Sequence, residues 1–273
     1  MSASDVRLLL ADVDGTLLTP DKVLTDRAVA AARRLRDADV LFAVTSGRPP
    51  RGMSMLVEPL GLTTPIAAFN GGVLVNSDMS VIEQREVASD LVRPIIDLLT
   101  SFSLSVWIYR GADWFVPDRN GPHVDREAWT VQFEPTVTAD LRSITDDVAK
   151  IVGVSDDHDA VEHAAVAARD GFGDHVSAAL SQPYYVDVTN PDANKGAVAK
   201  YLSAKYAIPA RQIATIGDMP NDVLMFAHSG LSIAMGNAGP EVQRAARRVT
   251  TSNDEEGFAN AVERFVLEGV SPA

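Results

Sequence analysis

The chain has 273 residues, of which 46% are hydrophobic, and a formal net charge of −13 at pH 7. Its length predicts one large or two medium domains, and its negative charge argues against a general surface for nucleic acid or anionic membranes. The absence of cysteine excludes disulfides, thiolate nucleophiles and thiolate metal sites. The apolar runs are too short for a signal peptide or a membrane span, so we expect a cytoplasmic protein.

The first part of the chain alternates between strand and helix patterns. Apolar runs at residues 8–13, 40–44 and 66–69 predict buried strands, and residues 25–37 have helical spacing after a candidate N-cap at Thr25. Strands separated by helices indicate βαβ units and a parallel sheet. Polar residues follow each strand, at the end where such sheets bind ligands.

The middle of the chain has a different pattern. It predicts strand pairs at residues 104–109 with 114–116 and 176–180 with 184–188, a further strand at 149–154, and a helix at 159–169. We therefore predict a separate α+β domain over residues 84–188, inserted into the first domain.

After the insert the alternating pattern returns. A helix is predicted at residues 195–205, followed by strands at 213–216 and 231–234. Residues 1–83 and 189–273 are thus predicted to form one discontinuous α/β domain with a Rossmann-like core and a mostly parallel sheet.

Carboxylates follow two of the predicted strands. Asp12 and Asp14 lie two residues apart after the first strand, so an extended backbone would point both side chains to one side. Asp218 ends the strand at 213–216, and Asn221 and Asp222 follow on a predicted first helical turn. Gathered carboxylates repel each other, and a divalent cation removes that repulsion. Oxygen ligands suit Mg²⁺ better than zinc or copper.

Donors for an anion accompany these carboxylates. Lys195, with Gly196 beside it, opens a predicted helix, whose N-terminus favours anions. The Ser46 hydroxyl and the Gly47 backbone N–H would supply further donors to phosphate oxygens. The set fits phosphoryl transfer, with one carboxylate attacking phosphorus and a second acting as general acid and then base.

Four motifs in order resemble those of the haloacid dehalogenase superfamily: DVDGT at residues 12–16, Ser46-Gly47-Arg48, Asn194-Lys195-Gly196, and GDMPND at residues 217–222. The closer resemblance is to the Cof-type phosphatases with a class IIB (type C2B) cap domain. It covers nearly the whole chain, including Phe69-Asn70-Gly71-Gly72 and AMGNAGPEV at residues 234–242. The resemblance implies a Rossmann-like core with an inserted α+β cap over residues 84–188.

The resemblance also implies catalytic and metal-binding roles. Asp12 would be the nucleophile and Asp14 the general acid/base. Mg²⁺ would be held by the Asp12 carboxylate, the Asp14 backbone carbonyl and Asp218. Lys195 would bind phosphate and offset negative charge around Asp12, and Asp222 would position Lys195 or a metal-bound water.

Further residues would contact the substrate. Ser46, Gly47 and Asn221 would bind the phosphate, with Thr45 as a competing candidate for the role of Ser46. By the same resemblance, the residues that would face the rest of the substrate are Arg48, Asn70 and Gly71.

An acid at position 14 favours a phosphate ester, because halide leaves without a proton whereas an alkoxide needs one. We predict a Mg²⁺-dependent phosphoric monoester hydrolase acting on a small phosphorylated metabolite. A sugar phosphate is the first candidate substrate, followed by a cofactor such as pyridoxal phosphate or flavin mononucleotide. The alternatives are a phosphotransferase or phosphomutase, and a non-catalytic sensor of a phosphometabolite. We expect a monomer or homodimer.

Two other features have structural interpretations. Residues 156–165 contain His158, His163 and several acids, but histidines five apart do not share a helix face, so a solvated acidic helix is expected. Four aromatic side chains surround the predicted hairpin and are expected to serve mostly as core of the insert: Trp107, Tyr109, Trp114 and Phe115.

Overall fold

A computed structural model of the chain describes residues 6–267. Its strands, in chain order, are β1 (Leu8–Asp12), β2 (Leu41–Thr45), β3 (Ile66–Ala68), β4 (Val73–Val75), β5 (Val81–Gln84), β6 (Ser105–Arg110), β7 (Asp113–Val116), β8 (Thr136–Val137), β9 (Val148–Val154), β10 (Ser177–Gln182), β11 (Tyr185–Thr189), β12 (Ile213–Gly217), β13 (Leu231–Ala234) and β14 (Arg248–Val249).

The α-helices, in chain order, are α1 (Asp26–Asp37), α2 (Val57–Leu60), α3 (Ser89–Ser101), α4 (Val124–Val131), α5 (His158–Phe172), α6 (Lys195–Tyr206), α7 (Val223–Phe226), α8 (Pro240–Ala245) and α9 (Gly257–Ala261). Short 3₁₀ turns include Pro50–Leu56, Phe69–Gly71 and Pro220–Asp222, and a π-helix spans Val262–Leu267. None of the helices in residues 6–267 combines the length and the apolar character that a bilayer crossing requires.

The larger sheet has eight strands in the order β14-β13-β12-β1-β2-β3-β4-β5. Neighbours from β14 to β3 are parallel, and β4 and β5 add antiparallel pairs at one edge. All five residues of β1 are buried, and its side chains alternate between two hydrophobic clusters, one on each face. A strand covered on both faces has a continuous apolar sequence, as residues 8–11 do. The predicted α/β class with a mostly parallel sheet is confirmed.

The smaller sheet has six strands in the order β10-β11-β9-β6-β7-β8 and is antiparallel except between β7 and β8. All of its strands lie between residues 105 and 189. One face packs its side chains, such as Val106 and Ile108, with α3 and α5. The other face, which carries Trp107 and Tyr109, shares a hydrophobic cluster with Phe69 of the larger sheet's loops. That second face lies beside the loops that follow the parallel strands.

Several local predictions are confirmed. Thr25 accepts a hydrogen bond from the Ala28 N–H and caps α1, and Arg110 lies opposite Asp113 in the predicted hairpin. The sequence pattern did not predict α3 or α4. Helix α3 contains Pro94, a residue that normally breaks a helical pattern, and α4 has only eight residues.

Candidate active site

The site lies where the strands of the larger sheet end. Strand β1 is flanked by β2 and β12, with Asp12 opposite Thr45 and Ala11 opposite Ile216. These three strands run in one direction, so the residues that follow them gather at one edge of the sheet. Helix α6 begins at this edge, because the Asn194 side chain caps it by accepting a hydrogen bond from the Ala197 N–H.

A buried lysine links two carboxylates at the centre of the site. The Lys195 Nζ lies 2.5 Å from Asp12 Oδ1 and 2.6 Å from Asp222 Oδ1, and at most 4% of each residue is exposed. Burial lowers the pKa of Lys195, but the charges of Asp12 and Asp222 outweigh it and raise the pKa above its usual value. Lys195 is therefore held as a cation next to the Asp12 carboxylate.

Asp222 has a positioning role in this geometry. Its Oδ2 accepts hydrogen bonds of 2.9 Å from the backbone N–H groups of Asp218 and Met219, while its Oδ1 accepts from Lys195. A Cβ at Gly217 would lie 2.3 Å from the Asp222 Cγ, so the motif needs glycine there. Both Asp222 oxygens are engaged, and they fix Lys195 and the loop after β12.

Three carboxylates approach one another at the site. One oxygen from each of Asp12, Asp218 and Asp222 lies within 4.8 Å of the others. Asp12 Oδ2 is buried and has no hydrogen-bond partner among residues 6–267, while Asp218 accepts hydrogen bonds of 3.3 Å from Thr16 and Asn237. Burial raises the pKa of Asp12, and burial followed by the charge of Asp222 raises that of Asp218 to about 6. Three carboxylates share the single positive charge of Lys195, and such a set of hard oxygen donors fits a divalent cation.

Asp14 has different partners from Asp12. Its carboxylate accepts hydrogen bonds from Arg48 Nε at 2.7 Å and Nη2 at 2.8 Å, and from Lys22 Nζ at 2.7 Å. Burial raises the pKa of Asp14, but the hydrogen bonds and charges of Arg48 and Lys22 lower it to about 2. Strand β1 ends at Asp12, so the extended backbone assumed for both residues does not continue to Asp14.

The loops after β2 and β3 meet beside Asp14. The Ser46 hydroxyl lies 3.4 Å from Asp14 Oδ2 and accepts a hydrogen bond from the Arg48 N–H, whereas Thr45 Oγ1 is buried without a partner among the described residues. The Asn70 N–H donates to the Ser46 carbonyl at 2.7 Å. Both hydroxyls thus remain close to the site, on adjacent residues.

Asn221, Gly47 and Gly71 complete the predicted set. The Asn221 side-chain amide lies 3.4 Å from Asn70 Oδ1, and a Cβ at Gly47 would lie 3.7 Å from Asn70 Nδ2. Gly71 has a φ of +100°, its carbonyl accepts a hydrogen bond from Arg85, and a Cβ there would lie 2.5 Å from Val198 Cγ2 of α6. The structure therefore brings Gly47, Asn70 and Asn221 together, and packs Gly71 against α6.

Three contacts were not predicted. Lys22 binds Asp14, and Thr16 and Asn237 bind Asp218. Thr16 and Asn237 stand inside the quoted motifs, and Asn237 follows β13 at the same sheet edge, which could have indicated a role. Nothing in the local pattern indicates Lys22, because its position depends on the loop after β1.

The other sequence interpretations fit the structure. Within the described part of the chain, groups of three or more acids or histidines able to hold a metal are limited to the Asp12 cluster, so His158 and His163 of α5 do not form one. Trp107, Tyr109 and Trp114 are 1% exposed and are core residues of the smaller sheet.

Comparison with known proteins identifies the family. The model of the haloacid dehalogenase-like hydrolases matches residues 9–262. The chain belongs to this family. A haloacid dehalogenase-like hydrolase structure from Bacteroides thetaiotaomicron is similar with a TM-score of 0.86 and 26% identity, covering 94% of this chain and 98% of that one.

Relatives in the family are named as phosphatases. The 5-amino-6-(5-phospho-D-ribitylamino)uracil phosphatase YitU of Bacillus subtilis is 26% identical, covering 94% of this chain and 97% of its own. The HMP-PP phosphatase of Cronobacter sakazakii is 26% identical and covers 86% of each chain.

Proposed function

We propose that the protein is a Mg²⁺-dependent phosphatase that hydrolyses a small phosphorylated metabolite through an aspartyl-phosphate intermediate. The observation that carries the proposal is the Asp12 carboxylate, which holds Lys195 with one oxygen and leaves the other buried and unpartnered among the described residues. The names of the relatives support the reaction class and include 5-amino-6-(5-phospho-D-ribitylamino)uracil and HMP-PP as substrates of those proteins.

Asp12 acts first, through Oδ2. This oxygen attacks phosphorus, the bond from phosphorus to the ester oxygen breaks, and an acyl phosphate forms on Asp12. Lys195 stays on Oδ1 at 2.5 Å and offsets charge as the phosphoryl group arrives. The donors proposed for the equatorial phosphate oxygens are Ser46, the Gly47 N–H and Asn221.

Asp14 handles the proton. It protonates the leaving alkoxide, then removes a proton from water, which attacks phosphorus and frees Asp12 and phosphate. With its pKa lowered to about 2, Asp14 is a carboxylate while Arg48 and Lys22 bind it. The acid step therefore requires these cations to leave Asp14. An incoming phosphate offers Arg48 an alternative anionic partner, which would bring this residue to the substrate as the sequence predicts.

The carboxylate cluster fits the divalent cation that the family implies. Asp218 accepts only long hydrogen bonds from residues 6–267, and we propose it as a ligand together with the Asp12 carboxylate and the Asp14 backbone carbonyl. When bound, Mg²⁺ would neutralise charge on the carboxylates and on the transferring phosphate. Asp222 would not be a ligand, since its oxygens are engaged by Lys195 and backbone N–H groups.

The insert has a role in this proposal. We propose that residues 84–188 form a cap that covers the site, excludes bulk water and contacts the organic part of a sugar phosphate or phosphorylated cofactor. The 3₁₀ turn Pro50–Leu56 contacts the insert at two points. Arg51 forms an ion pair with Asp113 of β7, and Gly52 lies close to Val131 of α4. A cytoplasmic monomer or homodimer completes the proposal.

The test is phosphate release from a panel of phosphorylated metabolites, with Mg²⁺ and with EDTA. We expect Mg²⁺-dependent release by the wild type and a loss of at least about 10³-fold in Asp12→Asn, which keeps the shape but removes the nucleophile. Asp170→Asn, on the exposed side of α5, is the matched control and should retain full activity.

Each other result has a definite meaning. Full activity in Asp12→Asn would contradict the covalent route. Transfer of phosphate to an added sugar without release would indicate a phosphotransferase. Tight binding without turnover in a folded, Mg²⁺-supplied protein would indicate a sensor.

A further inference from the structure

The face of the smaller sheet that lies beside the site carries a set of polar and aromatic side chains. We name five of them the sheet patch: Trp107, Tyr109, Lys150, Tyr185 and Asp187. The register places Tyr109 opposite Lys150, and Trp107 and Asp187 on either side of Val152, so neighbouring strands present them on one face. The alternate residues of these strands, such as Ile108 and Val186, pack into the other cluster.

Polar atoms of this face are buried without partners. Among residues 6–267, six buried side-chain nitrogen or oxygen atoms have no hydrogen-bond partner. Two are at the active site, and the other four are on this face: Trp107 Nε1, Trp114 Nε1, Tyr185 Oη and Asp187 Oδ1. Buried polar atoms are normally satisfied, so four on one sheet face indicate groups kept for a polar ligand.

An ion pair at the centre of the patch has unused capacity. Lys150 Nζ donates to Asp187 Oδ2 at 3.2 Å, a long contact that leaves Asp187 Oδ1 without a donor and two ammonium N–H groups without an acceptor among the described residues. Lys150, Tyr185 and Asp187 keep 7–8% of their surface exposed, whereas Trp107 and Tyr109 keep 1%. Tyr185 Oη and Asp187 Oδ1 are themselves buried, so the exposed part of these two residues lies on their other atoms.

The patch contacts Phe69, the residue before Asn70 in the loop that is hydrogen-bonded to Ser46. Lys150 Nζ is 5.4 Å from the centroid of the Phe69 ring, and Phe69 precedes Asn70, whose N–H binds the Ser46 carbonyl. The Tyr109 ring also contacts Phe69, with centroids 5.1 Å apart. A small molecule with its phosphate at Ser46 would extend its organic part toward this patch.

The aromatic rings of the patch are already in contact with other groups. Lys150 Nζ lies 5.1 Å from the Tyr109 ring centroid, and Tyr109 stacks on Trp114 at 5.9 Å. Trp107 makes edge contacts with Trp114 and Tyr185. The contacts of the Tyr109 ring with Lys150 and Trp114 compete with stacking on a planar heterocycle, whereas the buried polar atoms of the patch have no competing partner among residues 6–267.

We propose that the sheet patch binds the organic part of the substrate and selects a polyol or sugar phosphate. One substrate hydroxyl donates to Asp187 Oδ1 and accepts from Lys150, and a second hydroxyl binds Tyr185 Oη. A hydroxyl donates and accepts at once, whereas a carboxylate can only accept and would be repelled by Asp187. This inference rests on the proposed function for the position of the phosphate, but it concerns different residues.

The test measures binding, so that it does not depend on turnover. Calorimetric titration of the Asp12→Asn chain with Mg²⁺ gives Kd for ribose 5-phosphate, ribitol 5-phosphate, glucose 6-phosphate and glycerol 3-phosphate, with ethyl phosphate and pyridoxal phosphate as references. We expect at least one hydroxylated probe to bind about tenfold or more tightly than both references. Adding Asp187→Asn or Tyr185→Phe should reduce the logarithm of the Kd ratio between reference and hydroxylated probe by at least half.

Tyr185→Phe is the variant that should fold normally, because the oxygen it removes makes no hydrogen bond within the described chain. Asp170→Asn is the matched control for Asp187→Asn and should keep the preference. Equal binding of all probes, or an unchanged preference in both patch variants, would overturn the inference. Phosphate release by the wild type tests the proposed function separately, since a non-catalytic protein could still show the preference.

Discussion

The buried lysine at the strand ends and the buried lysine on the smaller sheet differ in how completely they are paired. At the strand ends, Lys195 contacts two carboxylates at 2.5 and 2.6 Å, and Asp222 accepts two backbone hydrogen bonds as well. On the smaller sheet, Lys150 has one carboxylate partner at 3.2 Å, and Asp187 keeps an oxygen without a partner in the described residues.

The difference follows from what each region would bind. Phosphoryl transfer needs the Lys195 charge fixed beside Asp12 before the substrate arrives, because moving it during the reaction would raise the barrier. A patch that recognises hydroxyl groups needs donors and acceptors that are not yet satisfied. The two regions can therefore be separated by measuring what each buried group contributes to stability and to binding.

The largest expected effect is that of Lys195→Met. It leaves Asp12 and Asp222 buried without their cation, and breaking a buried pair by removing one partner costs about 3–5 kcal/mol. Urea denaturation without Mg²⁺ should show this loss, and phosphate release should be abolished. Lys205→Met, at the exposed end of the same helix, is the matched control.

Lys150→Met sharpens the comparison, because this lysine has a single, longer carboxylate contact. We expect a smaller loss of stability than in Lys195→Met. An equal or larger loss would mean that the Lys150–Asp187 pair mainly stabilises the fold, which would contradict a reserved role in binding substrate.

Mg²⁺ should stabilise the strand-end region and leave the sheet patch unaffected. A ligand that binds the folded state at about 100 times its Kd adds about 2.7 kcal/mol to the unfolding free energy. Thermal unfolding with and without Mg²⁺ measures this gain. Asp218→Asn should greatly reduce the gain and Asp187→Asn should preserve it; the reverse order would place the cation elsewhere.

The next effect concerns Asp14 and pH. Its pKa in the folded protein is about 2, below the ordinary 3.8, so its carboxylate adds stability above about pH 4 that is lost as the pH falls toward 2. The contribution at neutral pH is about 2 kcal/mol. Urea denaturation from pH 7 to pH 3 should show a steeper loss in the wild type than in Arg48→Met. Parallel profiles would show that Arg48 does not hold this carboxylate.

The sequence predicts the site residues at the strand ends better than it predicts the sheet patch. Asp12, Ser46 and Asp218 follow apolar runs that read as parallel strands, and such strands bring their ends together whatever the loop details. The pairing of Asp14 with Lys22 could not be predicted, because it depends on the turn after β1, where Gly15 has a φ of +88°.

The sheet patch was harder to foresee for a different reason. The sequence correctly predicts that Trp107 and Tyr109 are core residues. Lys150 and Asp187, however, are 37 residues apart, and each lies in a run that otherwise predicts a buried strand. The pairing of β11 with β9 brings Lys150 and Asp187 together, and the pairing of β6 with β9 adds Trp107 and Tyr109 on the same face. Strand pairing between distant segments is not encoded in local periodicity.

The smallest expected effect distinguishes two tyrosines of the patch. The Tyr109 hydroxyl donates to Glu127 at 2.8 Å, whereas the Tyr185 hydroxyl has no partner among residues 6–267. Tyr109→Phe should therefore lower the unfolding free energy by about 1 kcal/mol, while Tyr185→Phe should leave it unchanged or slightly raised. Urea denaturation of both variants measures the difference. If Tyr185→Phe were the more damaging change, its hydroxyl would already be satisfied within the folded protein, and the case for a group reserved for substrate would be lost.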